Sequence, residues 1–337
     1  MKKVIDLRSD TVTKPVPGML AAMQAAALGD DDYGSDPTVN LLQETVAGLL
    51  GYEQALFVPS GTQSNLVALM SHCERGDEYI AGQESHAYRF EGGGAAVLGS
   101  IQPQPLNNLP DGSLDIDEVI AAIKPRSNHF ARTRLLALEN TIGGRVLGLD
   151  YLKRATDAAH EHGLSTHLDG ARVWNAAVKL GVSPATLAKG FDSMSVCLSK
   201  GLGAPVGSLL CGSATFIERA RRWRKMLGGG MRQSGVLAAA GLYAVEHHIE
   251  RLADDHTNAA ALAQGLGRIS ELSVESPQTN VVYVSIPTED CAALSEHLTE
   301  KNIIVRMSPR ARMLTHLDVS AEDITTVVEA FEAFYKR

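Results

Sequence analysis

The chain has 337 residues, 45% of them hydrophobic and 21% charged, with 31 Lys plus Arg against 39 Asp plus Glu for a formal net charge of -8. At about one domain per 150 residues this is the length of a two-domain protein with a sizeable core. It is too apolar for a disordered chain, and its acidic balance gives no electrostatic reason to hold nucleic acid or an anionic membrane. The four cysteines, Cys73, Cys197, Cys211 and Cys291, lie too far apart for a zinc ribbon or a disulfide framework, which suits a reducing compartment. Charge at Lys2 and Lys3 precedes any apolar h-region, and no stretch approaches the roughly 18 apolar residues of a membrane span. A cytoplasmic protein is expected.

In chain order, Val39, Leu42, Val46 and Leu49 recur at helical spacing within residues 37–51, with Gly51 as a C-terminal cap. The apolar run Ala55 to Val58, the turn Pro59-Ser60-Gly61-Thr62 and the apolar-periodic stretch Asn65 to Cys73 read as strand, turn and helix. The rhythm recurs with a strand over Leu135 to Leu138, a helix over Tyr151 to His162, and strands over Ser165 to Leu168 and Ser193 to Leu198. Strands alternating with helices predict an α/β fold whose mostly parallel sheet is flanked by helices, with ligands at the strands' carboxyl ends. From about residue 246 the pattern changes to one long helical stretch, Glu246 to Leu266, strands over Val281 to Ser285 and Ile303 to Val305, and a closing helix from Glu322 to Phe334. The expected division is a large domain, 1–245, and a smaller α+β domain, 246–337, on which the first residues could also pack.

Ser199-Lys200-Gly201-Leu202-Gly203 follows the apolar run Met194 to Leu198, so Lys200 stands at the end of a buried strand, with glycines that allow close approach of a ligand. A partly desolvated amine there can attack a carbonyl to form a Schiff base, although an isolated strand-end lysine is usually a solvated one. Asp169, ending the strand of His167-Leu168-Asp169-Gly170, can pair with the ring nitrogen of a pyridine cofactor, or belong to a simple Asp-Gly turn. Ser60-Gly61-Thr62-Gln63-Ser64-Asn65 opens a helix with free backbone N–H groups that can hold a phosphate, or is a plain N-cap.

In order and spacing the three segments together resemble the fold-type-I pyridoxal-phosphate enzymes. The closer resemblance is to the threonine aldolase family, in Leu7-Arg8-Ser9-Asp10-Thr11-Val12-Thr13, Asp32-Tyr33-Gly34 with Asp36-Pro37-Thr38, His129-Phe130-Ala131-Arg132-Thr133-Arg134, Leu198 to Gly207, and Arg222-Trp223-Arg224-Lys225 followed by Gly228-Gly229-Gly230-Met231-Arg232-Gln233. It extends to Thr315-His316-Leu317-Asp318-Val319-Ser320. The resemblance implies pyridoxal 5'-phosphate bound as a Schiff base to Lys200, Asp169 on the pyridinium nitrogen, and His86 stacked on the ring. Ser60, Gly61, Thr62 and Ser199 would hold the phosphate, with Arg232 reaching it from a neighbouring subunit. Arg172 would lie near the cofactor's 3-oxygen and the substrate carboxylate, which Ser9 and Arg312 would also bind. His129 would approach the β-hydroxyl, and Tyr33 would line the site from across a dimer interface. One departure is Ile142-Gly143 after Glu139-Asn140-Thr141, where many family members carry histidine and asparagine.

The implied activity is cleavage of a β-hydroxy amino acid, L-threonine or L-allo-threonine, to glycine and acetaldehyde by a homo-oligomer, a tetramer with sites at dimer interfaces. Another pyridoxal lyase or aminotransferase of the same fold, or a non-catalytic scaffold, is the alternative. His86, His129 and a bound water all remain candidates to accept the hydroxyl proton. No metal is expected: His160-Glu161-His162 closes a helix, where imidazolium suits the dipole. The basic run Arg219 to Lys225 reads as a subunit-contact or solvated helix face. The glycine triplets 92–94 and 228–230 match neither a dinucleotide fingerprint nor a P-loop.

Overall fold

Sheet pairing divides the protein into a large seven-stranded layer and two small sheets. The computed structural model describes residues 3–336. The strands, in chain order, are β1 (Ile5–Asp6), β2 (Gln54–Val58), β3 (Asp77–Gly82), β4 (Gln102–Leu106), β5 (Arg132–Glu139), β6 (Ser165–Gly170), β7 (Ser193–Cys197), β8 (Ser208–Gly212), β9 (Ser273–Val274), β10 (Val281–Ser285), β11 (Ile303–Ile304) and β12 (Arg310–Leu314).

The large sheet has the order β2-β8-β7-β6-β5-β3-β4. Strands β4, β3, β5, β6 and β7 are mutually parallel. Because β8 is antiparallel to both β7 and β2, β2 runs with the parallel set and the fold is the expected α/β arrangement. Its carboxyl end therefore lies on the same edge as theirs. Strands β3, β6 and β7 are buried almost throughout, as helices on both faces require, although their sequences mix polar and apolar residues. Strand β4 holds Pro103 and Pro105 and pairs only with β3, so its missing N–H groups face outward from an edge. Those prolines hid it from a periodicity reading.

Local chemistry sets the helix starts. Asp36 accepts from the N–H groups of Thr38 and Val39 to open the helix Pro37–Leu50, and the predicted cap, Gly51, closes it at φ 76°. Ser60 caps the helix Gly61–His72 by accepting from the Gln63 N–H. This helix begins four residues before Asn65, because its first turn is polar and carries no apolar period. The single long helix expected over Glu246 to Leu266 is two, Gly235–His247 and Leu252–Leu266. Between them the ring of His248 is turned onto the carbonyl of Leu202 at 2.7 Å, and the backbone closes in short turns, while the apolar spacing of Val245, Ile249 and Leu252 runs on unbroken.

The largest apolar cluster packs one face of the seven-stranded sheet and ends at Leu252, while two smaller clusters, around Tyr79 and Leu135 and around Leu56 and Leu210, pack the other face. A second cluster joins Ile5 and Leu7 to residues from Ala259 to Phe331, around the antiparallel sheet β9-β10-β12 and the helix Ala321–Tyr335. Strand β1 pairs in parallel with β11, and the carbonyl of Leu7 accepts from the N–H of Leu314. The four cysteines are free thiols. Among the described residues no helix is long and apolar enough to cross a membrane.

Candidate active site

Six strands of the large sheet end on one edge, and the chemistry-bearing residues follow those ends. Lys200 lies three residues beyond β7 and is half-buried; its amine has no hydrogen-bond or ion-pair partner among the described residues. It is close enough to Asp10, Glu139 and His86 to interact with each electrostatically. The glycines after it also serve the protein's own packing. A Cβ at Gly201 would come within 2.8 Å of the Leu252 side chain, and Gly203 turns at φ 76°. On the neighbouring strand Asp169 is buried, with Oδ1 accepting from the Ala171 N–H at 3.0 Å and Oδ2 from Asn65 Nδ2 at 2.7 Å.

At the end of β2 the Ser60 oxygen accepts the N-cap bond from the Gln63 N–H, so its hydroxyl proton and the backbone N–H groups of the first helical turn remain to meet an anion. That turn presses on the end of β7: a Cβ at Gly61 would stand 2.8 Å from Cys197 Sγ. Ser199 is half-buried beside Lys200. A cradle closed to any side chain, a helix N-terminus, a buried carboxylate and an unpaired amine form a donor set that fits a phosphorylated pyridine aldehyde.

Beside these ends opens a cleft of about 1230 Å³, whose lining includes Ser9, His86, Glu139, Arg172 and Arg312. Ser9 accepts from the Thr11 N–H and caps a short 3₁₀ turn. Arg312 stands on β12 and has no partner among the described residues. Arg172 forks onto Asp10, with Nε 2.7 Å from Oδ2 and Nη2 2.6 Å from Oδ1. Burial opposes ionisation of both groups, but each holds the other charged: the Asp10 carboxyl lies well below the usual range and the Arg172 guanidinium above its own. Asp10 thus fixes Arg172 and leaves Nη1 for a ligand.

His86 follows β3 and is tied at two points. Its N–H donates to Glu139 Oε2 at 2.7 Å, and its Nδ1 lies 2.9 Å from Glu91 Oε1, a hydrogen bond that raises the imidazole above its ordinary value. Burial, with Asp169 nearby, pushes the Glu139 carboxyl up to about 7. Burial likewise raises Glu91, whose Oε1 also accepts from Asn65 Nδ2 at 2.9 Å. Ligand atoms of His86, Glu91 and Asp169 lie within 4.8 Å of one another, and Asn65 bridges the two carboxylates. By contrast, His160 turns to Asp192 and His162 to the carbonyl of Ala158.

Three expected site residues are not brought to the cleft within one chain. His129 lies exposed in the loop before β5, its N–H on Ser127 Oγ. Tyr33 is 82% exposed. Arg232 faces solvent and pairs at 3.3 Å with Asp30 and Asp32. The basic run before it is not wholly a contact or solvated face. Arg224 is buried and donates to Asp31 at 2.8 Å and to the carbonyl of Phe57, because it must anchor the Asp30–Ser35 loop on β2. Ile142, the departure noted above, is buried and lines the cleft, bridged to Arg145.

Sequence reasoning gave no role to Asp10, Asn65, Glu91, Glu139 or His167. Two signals were available. Asp10 lies inside the quoted Ser9-Asp10 motif, and His167 is two residues before Asp169, hence on the same face of the same strand.

A family of β-eliminating lyases matches residues 6–288. The low specificity L-threonine aldolase of Escherichia coli strain K12 is 54% identical over 334 residues, 99% of this chain and 100% of that protein. The low-specificity L-threonine aldolase 1 of Arabidopsis thaliana is 42% identical, over 97% of this chain and 95% of its own. The solved structure of Leishmania major threonine aldolase superposes with a TM-score of 0.85 at 22% identity, covering 98% of this chain and 99% of that one, a likeness of fold.

Proposed function

Because the chain belongs to the β-eliminating lyases and, within them, to the threonine aldolases, we propose that it is a pyridoxal-phosphate-dependent carbon–carbon lyase that cleaves L-threonine and L-allo-threonine to glycine and acetaldehyde. The observation that carries this reading is the Lys200 amine, unpaired at the end of β7, beside a buried strand-end Asp169 and a helix N-terminus that a Cβ at Gly61 would close. When bound, the cofactor supplies an electron sink for the bond being broken.

The chain's own residues do the rest. Lys200 would hold the cofactor covalently through its amine. Asp169 keeps the cofactor's ring nitrogen protonated. Arg172 through Nη1, Arg312 and Ser9 would grip the substrate carboxylate and so orient the Cα–Cβ bond for cleavage. His86 covers the ring and accepts the β-hydroxyl proton at Nε2, since its Nδ1–H is spent on Glu91. Gly61, Thr62 and Ser199 hold the phosphate. In this reading residues 1–245 hold the cofactor and 246–337 bring Arg312, and four free thiols suit the cytoplasm.

We assign Tyr33, Arg232 and His129 to contacts in a homo-oligomer, a tetramer with sites at dimer interfaces. Exposure of Tyr33 and Arg232 along one loop pairing supports that assignment. The test is the visible spectrum of the purified protein, with release of glycine and acetaldehyde from each threonine isomer. A cofactor band that Lys200→Ala abolishes together with turnover is expected, and a Lys200→Ala enzyme with near-normal turnover refutes the assignment. A methyl-sized difference at Cβ discriminates by only about 10–200-fold, so both isomers are substrates, and a kcat/KM ratio above about a thousand would contradict this.

A further inference from the structure

Two helix residues and two strand residues extend the contacts of Asp169 into the protein. Asn65 and His72 are seven residues apart on the helix Gly61–His72, so they share a face two turns apart, about 10 Å along the axis. His167 of β6 and Ser193 of β7 are register partners on the sheet beneath. The four close a continuous chain. Asn65 Nδ2 lies 2.7 Å from Asp169 Oδ2, His167 Nε2 3.1 Å from Asn65 Oδ1, Ser193 Oγ 2.8 Å from His167 Nδ1, and His72 Nε2 2.7 Å from Ser193 Oγ.

The direction of every proton follows from the carboxylate end. Asn65 faces two carboxylates, Asp169 and Glu91, and only its amino group can donate to both, so its Oδ1 is the acceptor that faces His167. The proton of that bond therefore sits on His167 Nε2. Burial pulls the His167 ring down to about 4, so at neutral pH Nδ1 carries no proton and accepts from the Ser193 hydroxyl. The hydroxyl oxygen then accepts from His72 Nε2–H, and burial, with His167, Arg219 and Arg134 nearby, keeps this second ring neutral, pulled down to about 3. Each donor points toward Asp169. Aligned hydrogen bonds in a low-dielectric interior polarise one another, and their summed dipoles favour a negative charge at the end they point to.

We propose that Asn65, His167, Ser193 and His72 are positioning residues, a one-way hydrogen-bond relay that orients the Asp169 carboxylate toward the cofactor's ring nitrogen. The second Asn65 proton, given to Glu91, ties the same relay to His86, so the ring's edge and its face are fixed by one amide. This rests on the cofactor reading above, and the test separates the two.

With ¹⁵N-labelled histidine, long-range ¹H–¹⁵N correlation at pH 7, on the protein with and without pyridoxal 5'-phosphate, is expected to show His167 and His72 neutral, each with its proton on Nε2. Ser193→Ala cuts the relay without touching the cofactor. Roughly tenfold loss in kcat for threonine, the equivalent of one neutral hydrogen bond, is expected, with KM unchanged, weaker cofactor affinity by absorbance titration, and recovery in Ser193→Thr. His167 with its proton on Nδ1, or a Ser193→Ala protein with wild-type kcat and cofactor affinity, overturns the relay while the wild-type cofactor band stays intact. A wild-type protein that takes up no pyridoxal phosphate overturns the cofactor reading, and the role given to the relay with it.

Discussion

Asp10→Asn is the sharpest probe of how the carboxylate-binding end of the cleft is built. The substitution preserves shape and removes one charge from a pair whose Asp10 side chain is 0% and Arg172 side chain 14% exposed. Removing one member of a buried ion pair commonly costs about 3–5 kcal/mol, because the remaining charge stays desolvated and unpaired. Asparagine can still accept one of the two guanidinium bonds, which puts the expectation at the low end, about 3 kcal/mol in urea unfolding at pH 7. The same loss should lower kcat/KM for threonine, since Arg172 is no longer aimed by Asp10. One charge-assisted hydrogen bond, about 1.5–3 kcal/mol, corresponds to roughly 10- to 150-fold. The pH dependence has a definite sign. The folded-state carboxyl of Asp10 is lowered from 3.8, so its stabilisation is complete above about pH 4 and is lost as pH falls toward the folded value. Wild type and variant should therefore differ most at neutral pH and converge in acid. A difference below about 1 kcal/mol at pH 7, or one independent of pH down to 3, refutes the account of this pair.

Gly61→Ala should weaken cofactor binding and destabilise the protein by about 1–3 kcal/mol, since the new Cβ would lie 2.8 Å from Cys197 Sγ; titration of the apoprotein with pyridoxal phosphate and urea unfolding measure both, and unchanged affinity would remove the phosphate cradle from this turn. Arg232→Ala should leave the fold intact, because its pairs with Asp30 and Asp32 are exposed, while cofactor affinity falls roughly 10-fold or more; sedimentation of a fully active wild-type monomer would end the shared-site assignment.

The parts of the site legible in the sequence are those carried by local pattern. Lys200 follows the apolar run Met194 to Leu198, Asp169 ends the short strand that begins at Ser165, and Ser60-Gly61-Thr62 follows the apolar run Ala55 to Val58 with turn chemistry. What stayed hidden depends on register and tertiary contact. No local pattern tells that His167 faces Ser193 across β6 and β7, or that Asp10 reaches Arg172 from the other end of the chain. The split between Gly235–His247 and Leu252–Leu266 was invisible for a different reason: the ring of His248 ends one helix through a tertiary bond to Leu202, while the apolar spacing continues. Arg224 was misread because charge in a run suggests solvent, whereas its burial beside Asp31 follows from a loop more than a hundred residues away.

The pairing of β1 with β11 makes the cleft a late event in the life of the molecule. As the chain leaves the ribosome, the large sheet can close once β8 has emerged, with Asp169 and Lys200 already in register. β11 and the Leu7–Leu314 bond complete the anchorage of the segment that carries Ser9 and Asp10, whose other ties are Asp10 to Arg172 and Thr13 to the Lys200 carbonyl. Contacts so distant in sequence are slow to form. Until they do, the cleft lacks Arg312 of β12, and an early chain holds the cofactor-binding edge without the full grip on the amino acid. Competence for the cofactor and competence for the substrate are in this way acquired in succession, with the two ends of the polypeptide meeting last.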